Sequence, residues 1–175
     1  SFDWVTGNNE QAEDRCVFGG QLVMTDNGHK LIENIEIGDL VYTHNGNFKK
    51  VINTHTHLEY KKTRVDIDAF GYDNILSLTN DHKVYIYDNK SDEFKWIECG
   101  SLDINSHRLT LKIEQHLDNI NHLNTSFNNE EVTKICDYMT FKIKSLKISN
   151  PKVGEERVYD LSVEDDHSFV VGNYN

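Results

Sequence analysis

Proline is almost missing: Pro151 is the only one in 175 residues. No proline-rich linker or other long low-complexity tract interrupts the chain, and punctuation falls to Gly and Asn instead. Asp26-Asn27-Gly28, His44-Asn45-Gly46-Asn47 and Gly71-Tyr72-Asp73-Asn74 carry the chemistry of tight turns, the first two of the Asx-Gly kind that closes hairpins. Cysteine is scarce as well. Cys16, Cys99 and Cys136 are three, with no CxxC spacing, which excludes a disulfide scaffold and a four-Cys zinc site. At least one thiol stays free unless it pairs between chains, so a reducing, cytoplasmic setting is expected.

Positive charge is short: 18 Lys and Arg face 29 Asp and Glu, a net charge of −11, and the basic residues cluster no further than the pairs Lys49-Lys50 and Lys61-Lys62. Affinity for phosphate backbones and anionic lipid comes from such clusters, so neither nucleic acid nor a membrane surface is an expected partner. No apolar run approaches the roughly 20 residues of a membrane-spanning helix. Residues 1–15 lack the basic flank and apolar core of a signal peptide. The length suits one compact, monomeric domain, which buries roughly 70% of its unfolded surface without needing a disulfide or metal.

What is there is a series of short runs rich in Val, Ile, Thr and Tyr, at 39–43, 48–57, 63–70, 75–79, 83–87, 94–97, 108–113 and 157–163. Their length and the turn residues between them predict an all-β domain. One span departs from this pattern. Ile113, Leu117, Ile120 and Leu123 recur at helical spacing, and Val132, Ile135 and Met139 do so again, so 112–141 reads as an inserted, partly helical or mobile segment. No internal sequence repeat is apparent.

Three blocks carry chemistry. The first is Cys16-Val17-Phe18-Gly19-Gly20-Gln21-Leu22-Val23-Met24-Thr25-Asp26-Asn27-Gly28, followed by Ile35-Glu36-Ile37-Gly38-Asp39-Leu40-Val41. It resembles the N-terminal block of inteins and the wider hedgehog/intein superfamily, in which the Cys is the first intein residue. The second, Thr79-Asn80-Asp81-His82, looks like the family's Thr-x-x-His block and follows a Gly-containing hairpin. The third runs from Arg157 through Tyr159-Asp160-Leu161-Ser162-Val163 to His167-Ser168-Phe169 and is similar to the family's Tyr-Asp-Leu-x-Val segment with the His-x-Phe that follows it. Trp96-Ile97-Glu98-Cys99-Gly100-Ser101-Leu102 resembles the aromatic-containing segment that precedes the family's variable insert.

The resemblance implies a pseudo-symmetric, horseshoe-like Hint fold that brings two distant peptide bonds together. It implies residues 1–15 as N-extein and 16–175 as a mini-intein, contiguous or split within 112–141, with no homing endonuclease. The chemistry implied is protein splicing, a single-turnover self-processing reaction. Cys16 moves the acyl group of Arg15 from nitrogen to sulfur, a job for a thiolate in an electropositive or hydrogen-bonded setting. His82 acts at the scissile amide with Thr79 supporting it. Asp160 is implicated in activating the thiol, and His167 in cyclising the terminal Asn. For that Asn two readings stand: Asn175 itself, with Tyr174 in place of the usual His, or an Asn about three residues further on. The partners implied are flanking exteins and, for a split form, a complementary intein fragment.

Bland readings stand beside these. His55 and His57 alternate on one strand face with His44 near in sequence, yet no third and fourth ligand follows at a recognisable spacing, so exposed strand histidines are expected, with no metal and no cofactor. A cysteine hydrolase acting in trans through Cys16 and His82, a hedgehog-type or bacterial autocleaving domain, and a non-enzymatic β-rich interaction module are the competing functions.

Overall fold

The computed structural model describes residues 15–59, 61–113, 130–150 and 156–172. Among the described residues, thirteen strands follow one another: β1 (Val17–Phe18), β2 (Leu22–Thr25), β3 (Gly28–Leu31), β4 (Leu40–Tyr42), β5 (Phe48–Leu58), β6 (Arg64–Ala69), β7 (Leu76–Thr79), β8 (Lys83–Asp88), β9 (Glu93–Glu98), β10 (His107–Lys112), β11 (Val132–Ile135), β12 (Tyr138–Ser149) and β13 (Arg157–Val163). Short 3-10 turns at Ile32–Asn34 and Cys99–Ser101 follow β3 and β9.

Alternation builds the strands. Along β6 and β10 every second residue is buried, which puts Val65, Ile67 and Ala69, and Leu109 and Leu111, into the interior. β7 is buried throughout and lies in the middle of the sheet. The turn residues act as their chemistry predicts: Asp26-Asn27 closes the β2–β3 hairpin, 43–47 joins β4 to β5, and 70–75 joins β6 to β7.

Hydrogen bonding links the strands in the order β3-β2-β4-β5-β13-β1-β7-β6-β12-β10-β8-β9, all antiparallel, with β11 beside β12. Read inward from its two ends, this order describes one unit twice. Each unit has a hairpin (β2–β3, β8–β9), a 3-10 turn, a short strand (β4, β10) and a long bent strand. The long strands, β5 with 11 residues and β12 with 12, run out of the small sheets into the central one. The halves then exchange: β6 follows β5 but pairs with β12, while β13 pairs with β5. Both exchanged pairs carry a register shift, at Ser162/Val163 and at Ile143/Ser145. The expected pseudo-symmetry is thus present in the topology, and β1 meets β7 at its centre.

Two main cores fill the fold, one around Tyr42, Ile67, Leu78, Ile86, Phe141 and Ile143, the other around Val23, Ile32, Val41, Val51, Leu161 and Val163. Each such side chain contributes about 1.5–3 kcal/mol by leaving water.

The helical spacing at Val132, Ile135 and Met139 does not produce a helix. These residues lie on the β11–β12 hairpin, turned at Cys136-Asp137, where Lys134 faces Met139 and Ile135 faces Tyr138. β-branched and aromatic neighbours favour the pleated surface, and β12 is paired along its length, with β11 and β10 at its start and with β6 from Ile143 to Ser149. The remaining expectation, at 114–129, lies outside the described residues.

Gly71 sits at φ +90°, and a Cβ there would lie 2.7 Å from the fully buried Phe141 ring, whereas Gly28, at φ +97°, has open space. Gly71→Ala is therefore expected to cost about 2–4 kcal/mol and Gly28→Ala only about 1–2 kcal/mol, the difference being overlap in the core. Urea denaturation of the two variants measures this, and equal losses would contradict the packing argument.

Candidate functional site

The seam between β1 and β7 is where the sequence blocks meet. Val17 pairs with Leu78, so Cys16, the residue before β1, lies opposite Thr79 at the end of β7. The Thr79 N–H donates to the Cys16 carbonyl at 2.9 Å, and the Cys16 N–H donates to Thr79 Oγ1 at 2.9 Å. That N–H belongs to the Arg15–Cys16 peptide bond. On the other side of the same bond, His82 Nδ1 is 3.3 Å from the Arg15 carbonyl oxygen. Both ends of this amide are engaged by one four-residue loop.

The loop is fixed from behind. Cys99 N–H donates to the His82 carbonyl at 2.9 Å, Gly100 N–H to Asn80 at 2.8 Å, and the Cys99 thiol to Thr79 at 3.0 Å. Asn80 N–H also donates to the Thr63 carbonyl at 3.0 Å. The aromatic-containing segment that ends in Cys99-Gly100-Ser101 thereby carries a structural task, which buries Cys99 as a thiol.

Burial decides the protonation states. The His82 ring, flanked by Arg15 and facing Phe169 at 6.3 Å between centroids, is pushed down to about 4 by loss of solvent, so it is neutral near pH 7. A neutral ring carrying its proton on Nδ1 donates to the Arg15 carbonyl. Cys16 is fully buried, and burial pushes its thiol well above the ordinary range. The carboxylates of Asp160, Glu59 and Asp81 push it the same way, while Lys62 opposes them. The electropositive setting expected for a thiolate is not what surrounds Cys16. Its environment is buried and acidic, and Cys16 rests as a thiol.

Asp160 is 5% exposed on β13, opposite His55 of β5, and shares a pocket with Arg15, His82, Trp96 and Phe169. The structure therefore gathers Arg15, Cys16, Thr79, His82 and Asp160. His167 sits at φ +53° in the turn after β13, and its successors Ser168 and Phe169 are the residues of that segment lining the pocket. Ser168 Oγ is 2.7 Å from His44 Nδ1. Tyr174 and Asn175 lie outside the described residues. His55 and His57, expected to be exposed, are half-buried beside Ser162 and Glu59, and the described residues hold no group of three or more potential metal ligands.

Two neighbours of the site escaped the sequence reading. Asp81 Oδ1 is 3.0 Å from Thr79 Oγ1, and Lys62 pairs with the other Asp81 oxygen. Lys62 is set by a turn in which buried Glu59 accepts the N–H groups of Lys61 and Lys62, both at 3.0 Å. An acid inside a Thr-x-x-His block was the available signal for Asp81; nothing local marks Lys62.

No protein-family model matches the chain, and no curated protein matches it. Solved structures do. A bacterial intein-like domain from Clostridium thermocellum is similar over 91% of this chain and 94% of its own, at 19% identity and a TM-score of 0.60. A DnaB intein from Synechocystis is similar over 92% and 99%, at 16% identity and a TM-score of 0.60. The AceL NrdHF class 3 split intein is similar over 91% and 98%, at 16% identity and a TM-score of 0.59. The chain has the all-β Hint fold of these intein structures, and it has that fold at the size of whole domains of the kind.

Proposed function

We propose that the chain is a protein-splicing domain whose first step is an acyl shift at Arg15–Cys16. The observation that carries this reading is the clamped amide, with its N–H on Thr79 Oγ1 and its carbonyl oxygen at His82 Nδ1, joined directly to a buried cysteine. The sulfur attacks the Arg15 carbonyl carbon, a C–S bond forms, and the oxyanion develops beside the His82 donor. The C–N bond then breaks, and the proton lost by the thiol ends on the Cys16 nitrogen, giving a thioester and a free amine. Asp160 is the base that takes the thiol proton during attack, a role suited to a carboxylate next to a thiol too weakly acidic to ionise beforehand.

The later steps follow the same reading. A nucleophile at the start of the C-extein takes the acyl group, the terminal Asn cyclises with help from His167, and the joined exteins rearrange to an amide. The Arg15–Cys16 bond is consumed, so each molecule turns over once. The partners are the flanking exteins, in cis or through a complementary fragment, and a reducing cytoplasm would keep Cys16 competent. A second reading, autocleavage without ligation, is favoured by the likeness to the bacterial intein-like domain.

Intact mass of the purified chain with dithiothreitol or hydroxylamine tests the first step. The expected result is a break at Arg15–Cys16 that Cys16→Ala abolishes; an intact mass under both nucleophiles would sink the reading. Thr79→Val and His82→Gln should each slow the break by about a hundredfold or more. Asp160→Asn separates two effects of one carboxylate. Thiolate absorbance from Cys16, taken as the difference from Cys16→Ser, should appear at lower pH than in wild type, because a charge that opposes ionisation is gone. Cleavage should nevertheless be slower because the base is gone, and a faster cleavage would rule out the base role.

His82 also links stability to pH. Its folded-state value of about 4 lies below the ordinary 6.5, so between these values the unfolded chain binds more protons. The stability that depends on a neutral ring is whole above pH 6.5 and is lost as pH falls toward about 4. Thermal unfolding should show wild type losing more than His82→Gln over that window; parallel curves would contradict it.

A further inference from the structure

A hydroxyl has one proton to give, and at Thr79 two acceptors compete for it. Oγ1 lies 3.0 Å from Asp81 Oδ1 and 3.2 Å from the Cys16 carbonyl oxygen, which already accepts the Thr79 N–H. The carboxylate is charged, closer and otherwise in need of a donor on that oxygen, so it takes the proton. Once the proton points at Asp81, a lone pair of Oγ1 faces the Cys16 N–H, which reaches it at 2.9 Å. Lys62 holds the second Asp81 oxygen, which fixes the orientation of the carboxylate and balances a negative charge near the thiol.

We propose that Asp81 and Lys62 are positioning residues for the acyl shift: the ion pair sets the direction of the Thr79 hydroxyl, and the hydroxyl in turn fixes the N–H of the scissile amide. The inference rests on the splicing reading. It accounts for an ion pair between the β5–β6 loop and the β7–β8 loop that no core packing requires. It also makes the polarity of the Lys62–Asp81–Thr79–Cys16 chain, and not only its shape, a condition for reaction.

Asp81→Asn keeps the shape and reverses the polarity. The amide oxygen of Asn stays with Lys62, its NH2 then donates to Thr79, and the Thr79 proton turns onto the Cys16 carbonyl. Dithiothreitol-induced cleavage, followed by intact mass against Cys16→Ala, should slow about tenfold to a hundredfold, the range of a charged hydrogen bond. Because Asp81 acts through Thr79, Asp81→Asn in a Thr79→Val background should cause no further slowing. Cleavage of Asp81→Asn within twofold of wild type would overturn the proposal, and so would effects that multiply in the double variant.

Lys62→Met supplies a second, independent readout if Asp81→Asn does not fold. The charged groups around the thiol are Asp160, Glu59, Asp81, Lys62 and Arg15, with His82 neutral, and Lys62 is the cation that favours ionisation of the thiol. Its removal also frees the Asp81 carboxylate to turn away from Thr79, so Lys62→Met should slow cleavage about tenfold in the wild-type background and not in Thr79→Val, and Lys62→Arg should restore the rate. An unchanged rate, or equal slowing in both backgrounds, would overturn the assignment of Lys62. A wild-type chain with no Cys16-dependent break would instead overturn the splicing reading itself, and the positioning roles with it.

Discussion

Everything at the site hangs on the pair of hydrogen bonds between Cys16 and Thr79, which end the β1–β7 ladder. β1 is only two residues long and is held from both sides, by Tyr159 and Val158 of β13 and by Leu78 of β7. A one-residue slip would send Cys16 to the opposite face and separate the scissile amide from its acceptor. Register is enforced because Val17 and Phe18 are both buried, and Phe18 packs with Cys16 and Val158 in a small cluster of its own, with Arg64 over its ring. The chemistry of the site thus borrows its precision from ordinary strand packing.

The same burial that sets the register creates an electrostatic problem. A thiol enclosed by apolar strands and by the carboxylates of Asp160, Glu59 and Asp81 resists ionisation. An exposed, low-pKa cysteine would be the better free nucleophile, but it would also react with any passing electrophile. On the splicing reading, the thiol stays unreactive until its proton is taken in the act of attack, and its target is already bound covalently next to it. Proximity replaces intrinsic reactivity, which is the larger of the two effects when the partners are pre-aligned.

How much of this was legible depended on whether the signal was local. The strands at 48–57, 83–87 and 157–163 were plain because runs of Val, Ile, Thr and Tyr and the turn residues beside them agree there, and the structure places them within a residue of those bounds. Cys16, Thr79, His82 and Asp160 were legible through the spacing of their blocks, and the fold brings them together. The β11–β12 hairpin was misread because Val132, Ile135 and Met139 match a helical period by accident; only the pairing of the two strands with each other and of β12 with β10 shows which period applies. Lys62 was invisible since its partner Asp81 comes from another loop. The twofold topology was expected through the family resemblance alone, because no residue pattern repeats: the Ile32–Asn34 and Cys99–Ser101 turns have matching cap geometry but share no residue.

That topology has a consequence for when reaction can begin. Cys16 and Thr79 are 63 residues apart in sequence and face each other across the line that relates the two halves, with one partner drawn from each. Asp160 comes later still in the sequence, on β13, which belongs with the second half but pairs with β5 of the first. No single hairpin and neither half holds the clamped amide, His82 and Asp160 at once. The arrangement exists only once the long-range pairings have closed, and such non-local pairings are slow to form. On the splicing reading, activation by folding follows from placing the Arg15–Cys16 bond at the centre of the pseudo-symmetry: the two halves must be correctly exchanged before that bond is held on both sides.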